Sequence, residues 1–301
     1  MGKNSTDNFL RLDENVFVKP GTKVNLDKYD TKYTSVFKNK DEANEMLEKD
    51  ILRLTELQDI LYAQGNHSVL IIFQAMDAAG KDGTIKHVMS GVNPQGCDVA
   101  SFKSPSYEEL LHDYLWRINR VLPRKGMIKI FNRSHYEEVL VTRVHPEYIL
   151  SQKIPGIKTV DDIGEKFWEK RFKQINNFEK HLTENGTRII KFFLHISNEE
   201  QRIRFLKRID HPEKNWKFSA ADVAERKHWN KYMKAYEEAI SATSTENAPW
   251  YIIPADNKWF MRSAVGDIIA GTLEDMDLAY PKLNKDKLSD LKAAKDLLLN
   301  E

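Results

Sequence analysis

The 301-residue chain has a single cysteine, Cys97. That excludes an intrachain disulfide and any multi-cysteine metal site. No long apolar run is present either: the strongest, around Val69 to Phe73, falls far below the roughly 20 residues a bilayer span requires. The first residues, MGKNSTDNF, lack the apolar centre of a signal peptide, so a cytoplasmic location is expected, with no membrane partner. They match M-G-x-x-x-[ST] through Gly2 and Thr6, with Ser5 beside it, but this short pattern is frequent by chance. Excess charge is also missing. Lysine and arginine total 46 against 45 acidic residues, a net charge of +1, so no whole-chain field steers the protein to nucleic acid, and any anion site must be local.

What the chain does have is core material, 41% apolar and 10% aromatic residues. Residues 1–40 are polar, lack a sustained period and read as an extended arm lying on the domain or as a partly disordered segment. Apolar residues at helical spacing follow from Asp41 (Met46, Ile51, Leu54, Leu57, Ile60, Leu61), ending at Gly65-Asn66. The run SVLIIFQ (68–74) predicts a buried strand, KDGTIKHVMSGV a helix and CDVASF a strand. SYEELLHDYLWRINRVL predicts one helix with a capping start at Ser106 and Glu109, and GMIKIFN a further strand. Next come a long charged helix (DDIGEKFWEKRFKQINNFEKHLTENG), the strand RIIKFFLHIS, the helix NEEQRIRFLKRI, the helix ADVAERKHWNKYMKAYEEAISA, the strand WYIIPA and the helix WFMRSAVGDIIAGTLEDM. Strands separated by helices imply a mostly parallel sheet with helices on both faces, an α/β/α sandwich. A catalytic domain over 41–280 is expected, with a terminal helix in 281–301. The six tryptophans read as core or packing residues.

Residues 75–84, AMDAAGKDGT, follow the first buried strand. A Gly-Lys pair there is what a phosphate-binding loop looks like, although the usual pattern wants Gly at Ala75 and Ser or Thr at Asp82. Gly80 and Gly83 permit the tight turn. Backbone N–H groups from Ala78 to Gly83 and the start of the helix favour phosphate, and Lys81 adds a mobile point charge. Carboxylates beside a polyanion are unfavourable unless a divalent cation stands between them. Asp77 is therefore the candidate magnesium ligand, with Thr84 displaced from the usual hydroxyl position. Asp82 is either a second such group or a helix-start charge.

The second constellation is FNRSHYEEVLVTRVHP (131–146). Asn132, at a strand end where an acidic residue is usual, can orient a metal-bound water, and Arg133 either neutralises a transferring phosphoryl group or makes a surface ion pair. HDYLWR would place Asp113 and Arg117 one turn apart on a helix, with Arg117 reaching a nucleotide phosphate or forming a surface salt bridge. The basic run RIRFLKRIDHPEKNWK offers Arg204, Arg208, Lys214 and Lys217, joined by Lys86, as a groove for a linear polyanion. His112, His135 and His145 lack a spaced carboxylate–histidine pattern and read as structural or hydrogen-bonding groups.

Together FQAMDAAGKDGTIKH, FKSPS, HDYLWR, FNRSHYEEVLVTRVHP and NWKFS resemble the family-2 polyphosphate kinases from about residue 45 to 275. The resemblance implies a thymidylate-kinase-like P-loop fold with a helical lid, placed here at about 145–185. It implies magnesium-dependent, reversible transfer of a terminal phosphoryl group between inorganic polyphosphate and a nucleotide, with manganese able to substitute. The family loop accepts Ala75, Asp77, Gly80, Lys81 and Gly83. Its second motif, commonly Phe-Asp-Arg-Ser-Trp-Tyr-Asn, here reads Phe-Asn-Arg-Ser-His-Tyr-Glu, which is similar to the class III branch acting on both AMP and ADP to give ADP and ATP. By that likeness Asp77, Lys81 and Arg133 are catalytic, Asn132 holds the metal through water, and Glu137 is associated with AMP use; in the long charged helix, which reads either as the lid closing over phosphates or as a solvated face, Arg171 is the candidate nucleotide contact. A homodimer or tetramer is implied. An ATP-dependent nucleoside-monophosphate kinase and a non-catalytic nucleotide-binding module are the rival readings.

Overall fold

The structure is a computed structural model that describes residues 10–35 and 37–301; Gly2, Ser5 and Thr6 lie outside the described residues. Six strands form one sheet in the order β1-β6-β5-β2-β4-β3: β1 (Phe17–Val18), β2 (Ser68–Ala75), β3 (Cys97–Ser101), β4 (Ile128–Asn132), β5 (Thr187–His195) and β6 (Trp250–Pro254). All neighbours are parallel except β1, which pairs antiparallel with β6. Every residue of β2 is buried, the result expected of a continuous apolar run in a central parallel strand. Its register sets Ile71 between Ile130 of β4 and Ile190 of β5. The winding reverses at β2, with β4 and β3 on one side and β5 and β6 on the other. Such a reversal opens a crevice at the carboxyl ends of the strands, where the 75–84 loop emerges.

The helix Lys40–Gln64 begins on the Asn39 side chain, which accepts from the N–H groups of Asp41 and Glu42, and stops at Gly65 in the left-handed region (φ 65°). It packs on the helix Lys258–Glu274, whose Gly266 permits the approach: a Cβ there would lie 3.1 Å from Leu47 Cδ1. Between the two helices Asp50 and Asp267 are fully buried around Arg53. Of the N-terminal segment, Leu10, Val16, Val18, Val24 and Leu26 are buried against the domain, and β1 within it extends the sheet, a strand too short to show as a periodic pattern.

Four sequence expectations are corrected. The single helix expected over 106–122 is two turns, Tyr107–Leu110 and Trp116–Asn119. The capping box of Ser106 and Glu109 is present, but Asp113 accepts from the Leu115 N–H (2.9 Å) and its carbonyl from Trp116 N (3.0 Å), restarting the chain where the helix would have run on. The helix expected over 221–242 divides into Ala220–Glu225, a 3₁₀ turn Arg226–His228, and Trp229–Thr243. The charged helix placed in the lid, Glu165–Glu184, buries Trp168, Ile175 and Leu182 and packs on β5. Burying each such side chain stabilises by about 1.5–3 kcal/mol, which anchors this helix in the layer. The stretch beside the phosphate loop is the 3₁₀ turn Pro212–Lys217, and Trp216 within it is exposed rather than core.

Lys191, in the middle of β5, is fully buried. Its ammonium donates to Glu179 Oε2 (2.5 Å), Tyr136 Oη (2.8 Å) and the Thr243 carbonyl (2.7 Å), tying the second motif and two helices to the sheet. The terminal helix Lys285–Leu299 has no buried residue. No helix among the described residues is long and apolar enough to cross a membrane.

Candidate active site

The loop leaving β2 turns through two left-handed residues, Ala78 (φ 63°) and Gly80 (φ 112°), before the helix Lys81–Val88 begins. A non-glycine residue held there costs roughly 1 kcal/mol or more and persists only where its surroundings fix it. The surroundings are a helix from beyond β5, Asn198–Asp210. Gln201 donates to the Asp77 carbonyl (2.9 Å). Arg204 donates to the carbonyls of Ala78 (3.2 Å) and Ala79 (2.6 Å) on one side and of Ala255 (2.7 Å) and Asp256 (3.0 Å) on the other. Its Nε meets Glu200 at 2.7 Å. Arg204 was expected in the polyanion groove; with its guanidinium spent on backbone carbonyls and buried, it is a brace for the loop.

Lys81 folds back to the Ala75 carbonyl (3.0 Å), and burial pushes its ammonium down from the usual lysine value while Asp77 opposes the shift. Asp77 Oδ1 accepts from Arg133 Nη2 at 2.9 Å. Arg133 is itself left-handed (φ 66°), pinned by its N–H to the Phe73 carbonyl (3.1 Å), so β2 holds both members of the pair. Glu137, one turn on, lies 3.9 Å from Arg133. Burial pushes its carboxyl up, against the pull of Arg133 and Lys81. The Gln74 amide satisfies its neighbours with nitrogen toward Glu137 Oε1 (2.9 Å) and oxygen toward Ser134. Asn132 Nδ2 donates to Asp82 Oδ1 at 2.8 Å, joining the two motifs a second time.

A cavity of about 610 Å³ opens over this loop. Asp77 to Gly83, Asn132, Arg133, Arg204, Arg208, Lys214 and Lys217 all line it, so most of the expected site converges. Four cations that sequence reasoning missed join them: Lys103, Lys207, Lys258 and Arg262. Lys103 lies within the FKSPS string and Lys207 beside Arg208. Lys258 and Arg262 start a helix one turn apart, where the helix dipole disfavours cations, a signal that an anion is anticipated there. In all, ten cationic side chains face two carboxylates.

Other expected residues fall elsewhere. Thr84 is buried with its hydroxyl on the Gly80 carbonyl (3.1 Å), and Lys86 is exposed on the helix, outside the cavity. Arg117 does not pair with Asp113: the broken helix turns it onto Glu109 (3.3 Å), the Lys103 carbonyl (2.7 Å) and the face of Phe102 (5.1 Å). Arg171 is buried in a second cavity of about 540 Å³, over the Tyr114 ring (4.1 Å) and 3.9 Å from Glu138, with Ile154, Ile157 and Phe167 alongside. The 3₁₀ turn His135–Val139 links the cavities, sending Glu137 toward the phosphate loop and Glu138 toward Arg171.

The donors near the loop suit a hard divalent ion: Asp77 and Asp82 supply carboxylate oxygen and Asn132 an amide oxygen, and no histidine or cysteine lines the cavity.

The model of the polyphosphate kinase 2 family matches residues 37–281. A protein named ADP-polyphosphate phosphotransferase from Rhodopseudomonas palustris is 52% identical over 282 residues, 94% of this chain and 96% of its own. One named AMP/ADP-polyphosphate phosphotransferase from Meiothermus ruber is 47% identical over 266 residues, 88% of this chain and 94% of its own. The crystal structure of polyphosphate kinase 2 from Arthrobacter aurescens superposes with a TM-score of 0.84 at 37% identity, covering 95% of this chain and 98% of that one. With the phosphate loop, the reversed winding at β2 and these matches in agreement, the chain belongs to the polyphosphate kinase 2 family.

Proposed function

We propose that this chain transfers the terminal phosphoryl group of inorganic polyphosphate to ADP and AMP, giving ATP and ADP, and catalyses the reverse reaction. The observation that carries the reading is the charge around the loop: apart from the brace Arg204, nine cations against two carboxylates exceed what a single nucleotide triphosphate needs and suit a linear polyanion. The curated relatives are named for polyphosphate-dependent transfer to ADP or to AMP and ADP.

A divalent ion, magnesium by the oxygen donor set, would be held by Asp77 and through water by Asn132; when bound, it screens the phosphates from the carboxylates and withdraws charge from the transferring group. The chain's own residues do the rest. Lys81 and the loop amides hold the terminal phosphoryl of polyphosphate, and Arg133, oriented by Asp77 and Glu137, neutralises charge as the acceptor phosphate oxygen attacks in line. One phosphoanhydride bond forms as another breaks, which makes the reaction reversible. Lys207, Arg208, Lys214, Lys217, Lys258 and Arg262 line the path of the remaining polyphosphate.

The second cavity fits the nucleoside. Tyr114 and Phe167 offer ring faces, and Arg171 Nη1 has no hydrogen-bond partner among the described residues. Reaction mixtures with magnesium, polyphosphate and either ADP or AMP, followed by chromatography of the nucleotides, test the whole reading. ATP and ADP respectively are expected. Product from ATP plus AMP, with none from polyphosphate, would establish a nucleoside-monophosphate kinase instead. A homodimer or tetramer completes the proposal, and light scattering on the purified chain decides it.

A further inference from the structure

His145 closes the FNRSHYEEVLVTRVHP segment, and in sequence it stands far from any histidine–carboxylate spacing that would suggest a metal. Folding supplies the missing ligands. The break in the helix expected over 221–242 turns Glu225, last residue of Ala220–Glu225, and His228, last residue of the following 3₁₀ turn, onto His145. One ligand atom from each of the three lies within 4.8 Å of the others, and all three residues are half-buried. His145 Nε2 is 3.0 Å from Glu225 Oε2, and the two imidazole rings meet edge to face at 5.0 Å.

The groups around the triad are those that orient metal ligands. His145 Nδ1 faces Glu147 Oε1 at 3.2 Å, the carboxylate–histidine pairing that fixes an imidazole with its other nitrogen directed at an ion. Tyr148 stacks on the His145 ring at 5.4 Å, and Tyr232 donates to Glu225 Oε2 (2.8 Å). Both protein donors to Glu225 fall on Oε2, leaving Oε1 for coordination.

We propose that His145, Glu225 and His228 form a binding site for a borderline divalent transition ion, best suited to zinc, separate from the phosphate-transfer cavity. Two imidazoles and one carboxylate are a common three-ligand set for zinc with a further position open to water. Magnesium takes oxygen ligands and bears imidazole poorly, so the active-site ion and this one do not compete. The site joins two parts of the reaction machinery. Residues 220–228 follow Lys214 and Lys217 at the phosphate cavity, and His145 follows the Arg133 motif. An ion bound there fastens the stretch beside the cavity to the segment carrying Arg133.

The test uses the full chain without an affinity tag, stripped with a chelator, and titrated with zinc alone against a chromogenic competing chelator in excess magnesium. One tight equivalent per chain is expected in the wild type. It is lost in His145→Ala and in His228→Ala, and His228→Asn on the partly exposed turn serves as a second variant should either fold poorly. Glu147→Gln should weaken binding by about 10–100-fold, the usual effect of removing such an orienting carboxylate. Cobalt in place of zinc should show the visible absorption of a low-coordinate site, and zinc should slow proteolysis within 211–228 in the wild type but not in His228→Ala. Equal zinc uptake by the wild type and the His145→Ala, His228→Ala double variant overturns the proposal, as does displacement of the ion by magnesium.

Discussion

Arg204 distinguishes a charge that binds substrate from a charge that builds the site. If it served mainly as a cation in the polyanion groove, Arg204→Lys would preserve its role. The hydrogen bonds say otherwise: four go to backbone carbonyls in pairs, Ala78 with Ala79 and Ala255 with Asp256, spanned by the two ends of one planar fork. A lysine nitrogen is a single point and cannot bridge both pairs, so at least two of these bonds are lost. At about 1.5–3 kcal/mol for each hydrogen bond to a charged group, the loss is about 3 kcal/mol or more. With an unfolding entropy near 2 cal/mol/K per residue across the chain, this lowers Tm by about 5 °C. Activity should fall with it, since a loop displaced by about 1 Å can cost roughly a hundredfold in rate. Thermal melts by circular dichroism and a luciferase-coupled assay of ATP formed from ADP and polyphosphate give both numbers. A lysine variant with wild-type Tm and kcat, changed only in KM for polyphosphate, would refute the brace and restore the groove role.

Asp77→Asn should keep its Tm within about 2 °C yet lose transfer by about 10²–10³-fold, the scale for removing one group that stabilises a transition state; near-normal turnover removes its assignment. Lys214→Glu with Lys217→Glu should raise KM for polyphosphate by about tenfold or more with a smaller effect on KM for ADP, if these cavity-lining side chains serve the polyphosphate path proposed above; equal rises for both substrates count against that placement. The buried carboxylates give a pH dependence of stability. Burial and the neighbouring Asp267 push Asp50 up to about 7, and burial pushes Asp267 up to about 6, both above the ordinary 3.8. The folded chain therefore holds more protons than the unfolded one, so this contribution is fully present below about pH 4 and is lost as pH rises toward 7. Asp50→Asn should gain Tm relative to wild type between pH 5 and pH 8, and a gap that stays constant across that range contradicts the assignment.

The strands and the phosphate loop were legible because their signals are local: an unbroken apolar run for β2 and a Gly-Lys pair directly after it. The two helices read as continuous were not. Asp113 restarts one by capping its own downstream N–H groups, and apolar periodicity does not register a side chain that competes with the helix. Arg204 and Arg208 are one turn apart on the same helix and look alike in sequence. One is consumed by carbonyls of the 75–84 loop and the end of β6, partners set only when the sheet assembles, while the other faces the cavity. Arg171 was read as a lid residue because its helix is highly charged. Trp168, Ile175 and Leu182, on the same buried stripe as Arg171, decide its location, and their burial depends on β5.

Lys191 has a consequence for how this sequence can change. Its ammonium, Glu179, Tyr136 and the Thr243 carbonyl satisfy one another where water is excluded. Replacing either charged partner alone strands the other, at a cost of about 3–5 kcal/mol, whereas an apolar replacement of both can be close to neutral. In a library built one substitution at a time these positions will look immutable, and in a library that varies 136, 179 and 191 together they should not. Drift here must cross in paired steps, which isolates sequences with the buried ion pair from those that have replaced it.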